Sequence, residues 1–77
     1  MTASLVAVVG GVHHFASYFS ENGTRAIIFF NDHDKPLSEG VMSTFLQKVA
    51  EIEHIPNPAA IAGRRVDGCI YLTWPSH

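Results

Sequence analysis

The sequence predicts an α+β fold: an antiparallel sheet of three to four strands in ββαβ order, with a possible extra short strand, and one helix packed on one face. Three observations carry this expectation. Asn22-Gly23 separates two runs rich in aromatic and β-branched residues, Val12–Ser20 and Arg25–Asn31, the strongest short-range hairpin signal a sequence offers. From Leu37 onward the apolar period changes from two to about 3.6, with Val41, Met42, Phe45, Leu46, Val49 and Ile52 on one stripe. Beyond Pro56 and Pro58, Ile70, Leu72 and Trp74 alternate with Cys69, Tyr71 and Thr73, the period of a half-buried strand.

The elements follow in order. Leu5-Val6-Ala7-Val8-Val9 is a continuous apolar run that suits a strand covered on both faces, and Gly10-Gly11 after it marks a bend, a bulge or a close backbone approach. A phosphate-binding glycine loop does not fit, because a strand-like stretch follows in place of a helix that would present its amides. If Asn22 and Gly23 are the central residues of a type I′ turn, counting fixes the hairpin register. Phe19 then faces Ala26, Ser17 faces Ile28, Phe15 faces Phe30 and His13 faces Asp32 on one side. Tyr18 faces Ile27, Ala16 faces Phe29 and His14 faces Asn31 on the other. The first side is the more apolar and is expected to meet the core. Asn31 to Pro36 breaks the strand, Asp34 helps to begin the helix, His54 lies near its last turn, and Pro56 and Pro58 stop it. Ala59 to Gly63 is too short to assign. Asp67-Gly68 is a second turn signal, which makes Arg64–Val66 a short partner for the strand at Cys69–Trp74.

The 77 residues suit a single domain, residues 1–77, and an apolar fraction of 47 % with 16 % charged excludes a disordered acidic or basic tail. A core of this size is thin, and the single cysteine, Cys69, rules out an intramolecular disulfide. Self-association or a protein partner is the common remedy. A formal net charge of −2 with five Lys and Arg argues against a nucleic-acid binder. The run Leu5–Val9 is too short to span a bilayer, and the first basic residue is Arg25. The expectation is therefore a soluble, cytoplasmic protein with no targeting segment and no membrane partner. Asn22-Gly23-Thr24 matches a glycosylation sequon, but a turn explains the same residues.

The densest polar group is His13, His14, Asp32, His33 and Asp34. Neighbouring residues of a strand point to opposite faces, so His13 and His14 cannot hold one ion, and no metal or other cofactor is expected. For catalysis, Cys69 with a histidine, or Ser38 or Ser43 with His54, lacks any recognisable nucleophile context. No catalytic residue is assigned. Arg64-Arg65 near Tyr71 and Trp74 could stack single-stranded RNA, yet a rim contact at a protein interface suits such residues better.

One helix covers one face of a sheet, whereas both sides of the hairpin carry large apolar residues. The second face is therefore expected to be an interface. The predicted function is a non-catalytic protein-binding module that docks on another protein, on a second copy of itself, or on both. The predicted contact residues are Tyr18, Arg25, Ile27 and Phe29, with Arg64 and Arg65 second. The alternatives are a small ligand-binding homodimer with a cavity between two sheets, and a metal site at His13 and Asp32. In size, acidity and plan the chain resembles the small accessory inhibitors that bacteriophages and mobile elements encode against host proteins, anti-CRISPR proteins among them. That resemblance implies a larger protein partner and carries no site residue with it.

Overall fold

A computed structural model of the chain describes residues 1–30 and 37–75. Three strands come first: β1 (Thr2–Val9), β2 (Val12–Glu21) and β3 (Thr24–Phe29). Helix α1 (Glu39–Glu53), a short 3₁₀ turn (Pro58–Ala60), β4 (Ala62–Val66) and β5 (Cys69–Thr73) complete the chain. The five strands form one antiparallel sheet in the order β1-β2-β3-β5-β4. The fold is α+β as expected, but with five strands in βββαββ order in place of three or four in ββαβ.

Three two-residue turns make the hairpins. Asn22 and Gly23 have φ of 52° and 79°, Asp67 and Gly68 of 41° and 55°, and Gly10 and Gly11 of 59° and 77°. Positive φ at both central residues defines the type I′ turn, whose twist matches that of the strands it joins. Gly10-Gly11 is thus a third hairpin turn rather than a bend, and it pairs Val9 with Val12. The register counted from Asn22-Gly23 holds: Phe19 pairs with Ala26, Tyr18 with Ile27, Ser17 with Ile28 and Ala16 with Phe29. The expected partners Asn31 and Asp32, and with them His33 and Asp34, lie outside the described residues.

The helix begins at Ser38, whose Oγ accepts from the Val41 amide at 3.3 Å as an N-cap. It ends where His54 turns left-handed at φ 59° and the Ile55 amide reaches back to the Ala50 carbonyl at 2.9 Å. His54 is therefore a C-terminal cap beyond the helix and not a charge within its last turn. Val41, Phe45 and Val49, one turn apart, are buried, while Met42, Leu46 and Ile52 on the flank of the stripe are only partly so.

These helical residues form one core cluster with Leu5, Ala7, Ala16, Tyr18, Ile27, Phe29, Ile70 and Leu72. Phe29 and Phe45 meet with ring centroids 5.7 Å apart and planes tilted by 54°. Fully burying a side chain of this size contributes about 1.5–3 kcal/mol. Among the strands the helix runs closest to β1, and residue size explains why. Ala3, Ala7 and Ala16 supply short side chains there, and a Cβ on Gly40 would already meet the Val9 side chain at 3.3 Å. Across β3 and β5, where Ile27, Phe29, Ile70 and Leu72 fill the space, the larger side chains hold it off.

This packing reverses the face assignment made from the hairpin. Tyr18, Ile27 and Phe29 are 0 %, 0 % and 3 % exposed, whereas Phe15 and Ile28 on the opposite side are 51 % and 43 % exposed. The helix covers the side expected to be open. Counting large apolar residues pointed the wrong way, because close approach of a helix requires small ones.

Candidate functional site

The side of the sheet away from the core cluster is built from alternate residues of every strand. β1 supplies Ser4, Val6 and Val8, β2 supplies His13, Phe15, Ser17 and Phe19, and β3 supplies Ala26 and Ile28. β5 adds Cys69 and Tyr71, and β4 adds Arg64 and Val66. The ladders align them in rows. One runs Ser4, Ser17, Ile28, Cys69, Val66; another runs Thr2, Phe19, Ala26, Tyr71, Arg64. Ala26 is buried between its larger row neighbours yet stands outside the core cluster.

Val6, Val8, Phe15, Ile28, Val66 and Tyr71 on this side, with Phe30 just beyond β3, are 39 % to 58 % exposed. Charge is confined to its margins, with Glu21 at the turn end of β2 and Arg64 on the edge strand β4. Its centre around Phe15, Ser17 and Ile28 is uncharged. An apolar, aromatic centre with polar margins is the anatomy of a protein interface, and a contiguous patch of this extent is unusual on a monomer.

The six predicted contact residues are not brought together. Tyr18, Ile27 and Phe29 are core residues and leave the candidate site. Arg25 lies on the core side, its Cζ 4.0 Å from the centroid of the Trp74 ring, a cation–π contact that closes one end of the core. Arg64 pairs in register with Tyr71 and shares its side, whereas Arg65 pairs with Ile70 and takes the other. The arginine pair is therefore split between the two faces and forms no single basic patch. Tyr71 is exposed as its alternation with Ile70 and Leu72 predicts, whereas sequence reading put Val6 and Val8 on a strand covered on both faces and Phe15 and Ile28 on the core side, and all four are surface residues. The signal that would have found them is the run of short residues, Ala3, Ala7 and Ala16, on the side the helix approaches.

The Ser38 hydroxyl caps the helix. Burial pushes the Cys69 thiol pKa up, against a smaller opposing effect of Tyr71, so the unreactive protonated form is favoured. His13 and His14 fall on opposite faces, as the register with Val8 and Ala7 requires, and the His13 ring stacks with Phe15 at 6.4 Å. Among the described residues no three His, Cys, Asp or Glu side chains gather as metal ligands would. No described helix is long and apolar enough to cross a membrane.

A second concavity, of about 440 Å³, lies between the outer flank of α1 and the 3₁₀ turn. Leu37, Met42, Leu46, Pro58 and Ala59 make most of its lining apolar, and Glu39 and Ser43 add a carboxylate and a hydroxyl.

No protein-family model matches the chain, and comparisons with curated proteins and with solved structures also find no match.

Proposed function

We propose that the chain is a non-catalytic protein-binding module whose working surface is the side of the sheet that α1 leaves uncovered. The supporting observation is that half-exposed Val6, Phe15, Ile28 and Tyr71, from four strands and three ladder rows, share this side around an uncharged centre. Leaving this much apolar surface in water forgoes about 25 cal/mol for each Å² that a partner would cover. The same residues add nothing to the core, so their apolar character is explained by a partner and not by folding. Burial of the Cys69 thiol and the capping role of Ser38 support a binding function over nucleophilic chemistry.

A photoreactive phenylalanine analogue at position 15, introduced in cells that express the chain, tests this reading. Cross-linking to a protein is expected, and the adduct should disappear when Ile28→Glu is added on the same face. The same analogue at Gln47, on the exposed side of α1, should give no adduct. Absence of any protein adduct at position 15, or an adduct indifferent to Ile28→Glu, would remove this face from consideration.

A further inference from the structure

We infer that the partner of the open sheet face is a second copy of the chain, packed face to face about a two-fold axis that runs along β3. This rests on the protein-binding reading of that face and specifies its occupant.

Area comes first. Aromatic side chains present about 200 Å² each, so seven large apolar side chains left about half exposed amount to roughly 600 Å² per copy. Two copies together then reach about 1,200 Å², the lower bound of a stable specific interface. The fit is between equals: the face is a five-strand sheet, and sheets stack face to face at about 10 Å with their strands roughly aligned.

Charge comes second. The centre of the face is uncharged, so the surface that covers it must itself be uncharged and apolar, or it would bury a charge without a partner. A second copy meets this requirement by construction. The sheet order β1-β2-β3-β5-β4 makes β3 the middle strand. A two-fold axis along β3 therefore lays β2 over β5 and β1 over β4, and sets Ile28 against Ile28 of the second copy. It also carries Glu21, at the end of β2, toward the half of the other sheet that holds Arg64. Glu21 pairs with Thr24, and Arg64 is level with Ala26 through Tyr71. The two margin charges thus lie within two residues of each other along the strands and have opposite sign. A two-fold axis across the strands would place them at opposite ends instead.

The test uses the purified full chain, in which only self-association is possible. Sedimentation equilibrium from low to high micromolar concentration should show twice the monomer mass. Ile28→Glu and Phe15→Glu, both at exposed positions, should each raise the dimer dissociation constant by about 30-fold or more, the change that marks an interface hot spot. Gln47→Glu on the helix should leave it unchanged, and circular dichroism should show all three variants folded. Ile28→Lys should be as monomeric as Ile28→Glu, whereas an equimolar mixture of the two should recover the dimer, because the axis sets position 28 against itself. A wild-type chain that stays monomeric, or a dimer indifferent to Ile28→Glu, overturns the inference. A mixture that stays monomeric overturns the axis along β3. Failure here together with a position-15 cross-link to a different protein would leave the protein-binding reading standing without the second copy.

Discussion

The Tyr18 hydroxyl donates a hydrogen bond to Glu53 Oε1 at 2.6 Å, linking β2 to the last residue of α1 across 35 residues of sequence. Both partners need the contact. Tyr18 is wholly buried, and a buried hydroxyl without a partner carries a desolvation penalty. Glu53 is an acid at the negative end of the helix dipole, an unfavourable place for a carboxylate unless a donor stabilises it. Tyr18→Phe keeps the ring and removes the donor, so it should destabilise the fold by about 1.5 kcal/mol, the scale of a hydrogen bond to a charged group. Urea denaturation of Tyr18→Phe, Glu53→Gln and the double variant measures the coupling. A cost of only a few tenths would mean that water replaces the hydroxyl.

The same contact sets a dependence on alkaline pH. Burial, and then the hydrogen bond to Glu53, push the Tyr18 pKa from 10.0 up to about 12, with Ser20 and Arg25 opposing. A folded-state value above the unfolded one means that the fold favours the protonated hydroxyl. Its stabilisation is fully present below pH 10 and is lost as the pH rises through about 12. The stability difference between wild type and Tyr18→Phe should therefore be flat at neutral pH and shrink above pH 10. Every other titrating group is common to both proteins and cancels in the difference. A gap that stays constant up to pH 12 would show that the folded hydroxyl has an ordinary pKa.

Local rules made much of this fold legible, and a tertiary choice hid the rest. Asn22-Gly23 fixed the pairing of Tyr18 with Ile27 to the residue, because a two-residue turn leaves no freedom of register. Gly10-Gly11 carries the same geometry without the Asn or Asp that advertises it, so β1 and β2 were not recognised as a hairpin. Which face the helix would cover is not a property of the hairpin at all. It depends on the short side chains Ala3, Ala7 and Ala16 on the side that α1 approaches and on Gly40 lying close to Val9, a contact between segments far apart in sequence. The candidate site inherited that error: Tyr18, Ile27 and Phe29 went to the core and Phe15 and Ile28 to the surface.

Gly63 tests the packing of the segment that sequence reading left unassigned. It faces Leu72 in the β4–β5 ladder, and a Cβ there would meet Ile70 Cγ2 at 3.0 Å and Leu72 Cδ2 at 3.6 Å. Ile70 and Leu72 are 0 % and 3 % exposed, so neither can move aside cheaply. Gly63→Ala should therefore destabilise by about 1–3 kcal/mol, the usual cost of overpacking, although alanine is the better residue for an unstrained backbone. Thermal denaturation of Gly63→Ala checks this. Ile70→Ala, which removes the Cγ2 methyl, should cost less beside Gly63→Ala than it does alone, and a stabilising Gly63→Ala would mean that β4 stands further from β5.

The three type I′ turns allow one substitution to be designed by comparison within the chain. At the first central position, two turns carry Asn22 and Asp67 at φ 52° and 41°, and the third carries Gly10 at φ 59°. A Cβ on Gly10 would have nothing within 4 Å, so only backbone preference separates glycine from the alternatives. Asparagine tolerates the left-handed region and has fewer unfolded conformations than glycine. Gly10→Asn should thus stabilise the protein by about 0.4–1 kcal/mol through the unfolded state. Gly10→Val, with a β-branched side chain forced to positive φ, should destabilise by more than about 1 kcal/mol. Urea midpoints measured at one protein concentration separate the three proteins, since self-association would otherwise shift them. The order Asn above Gly above Val is the expected result; Gly10→Asn falling to the level of Gly10→Val would show that Gly10 and Gly11 do not form the same turn as Asn22 and Gly23.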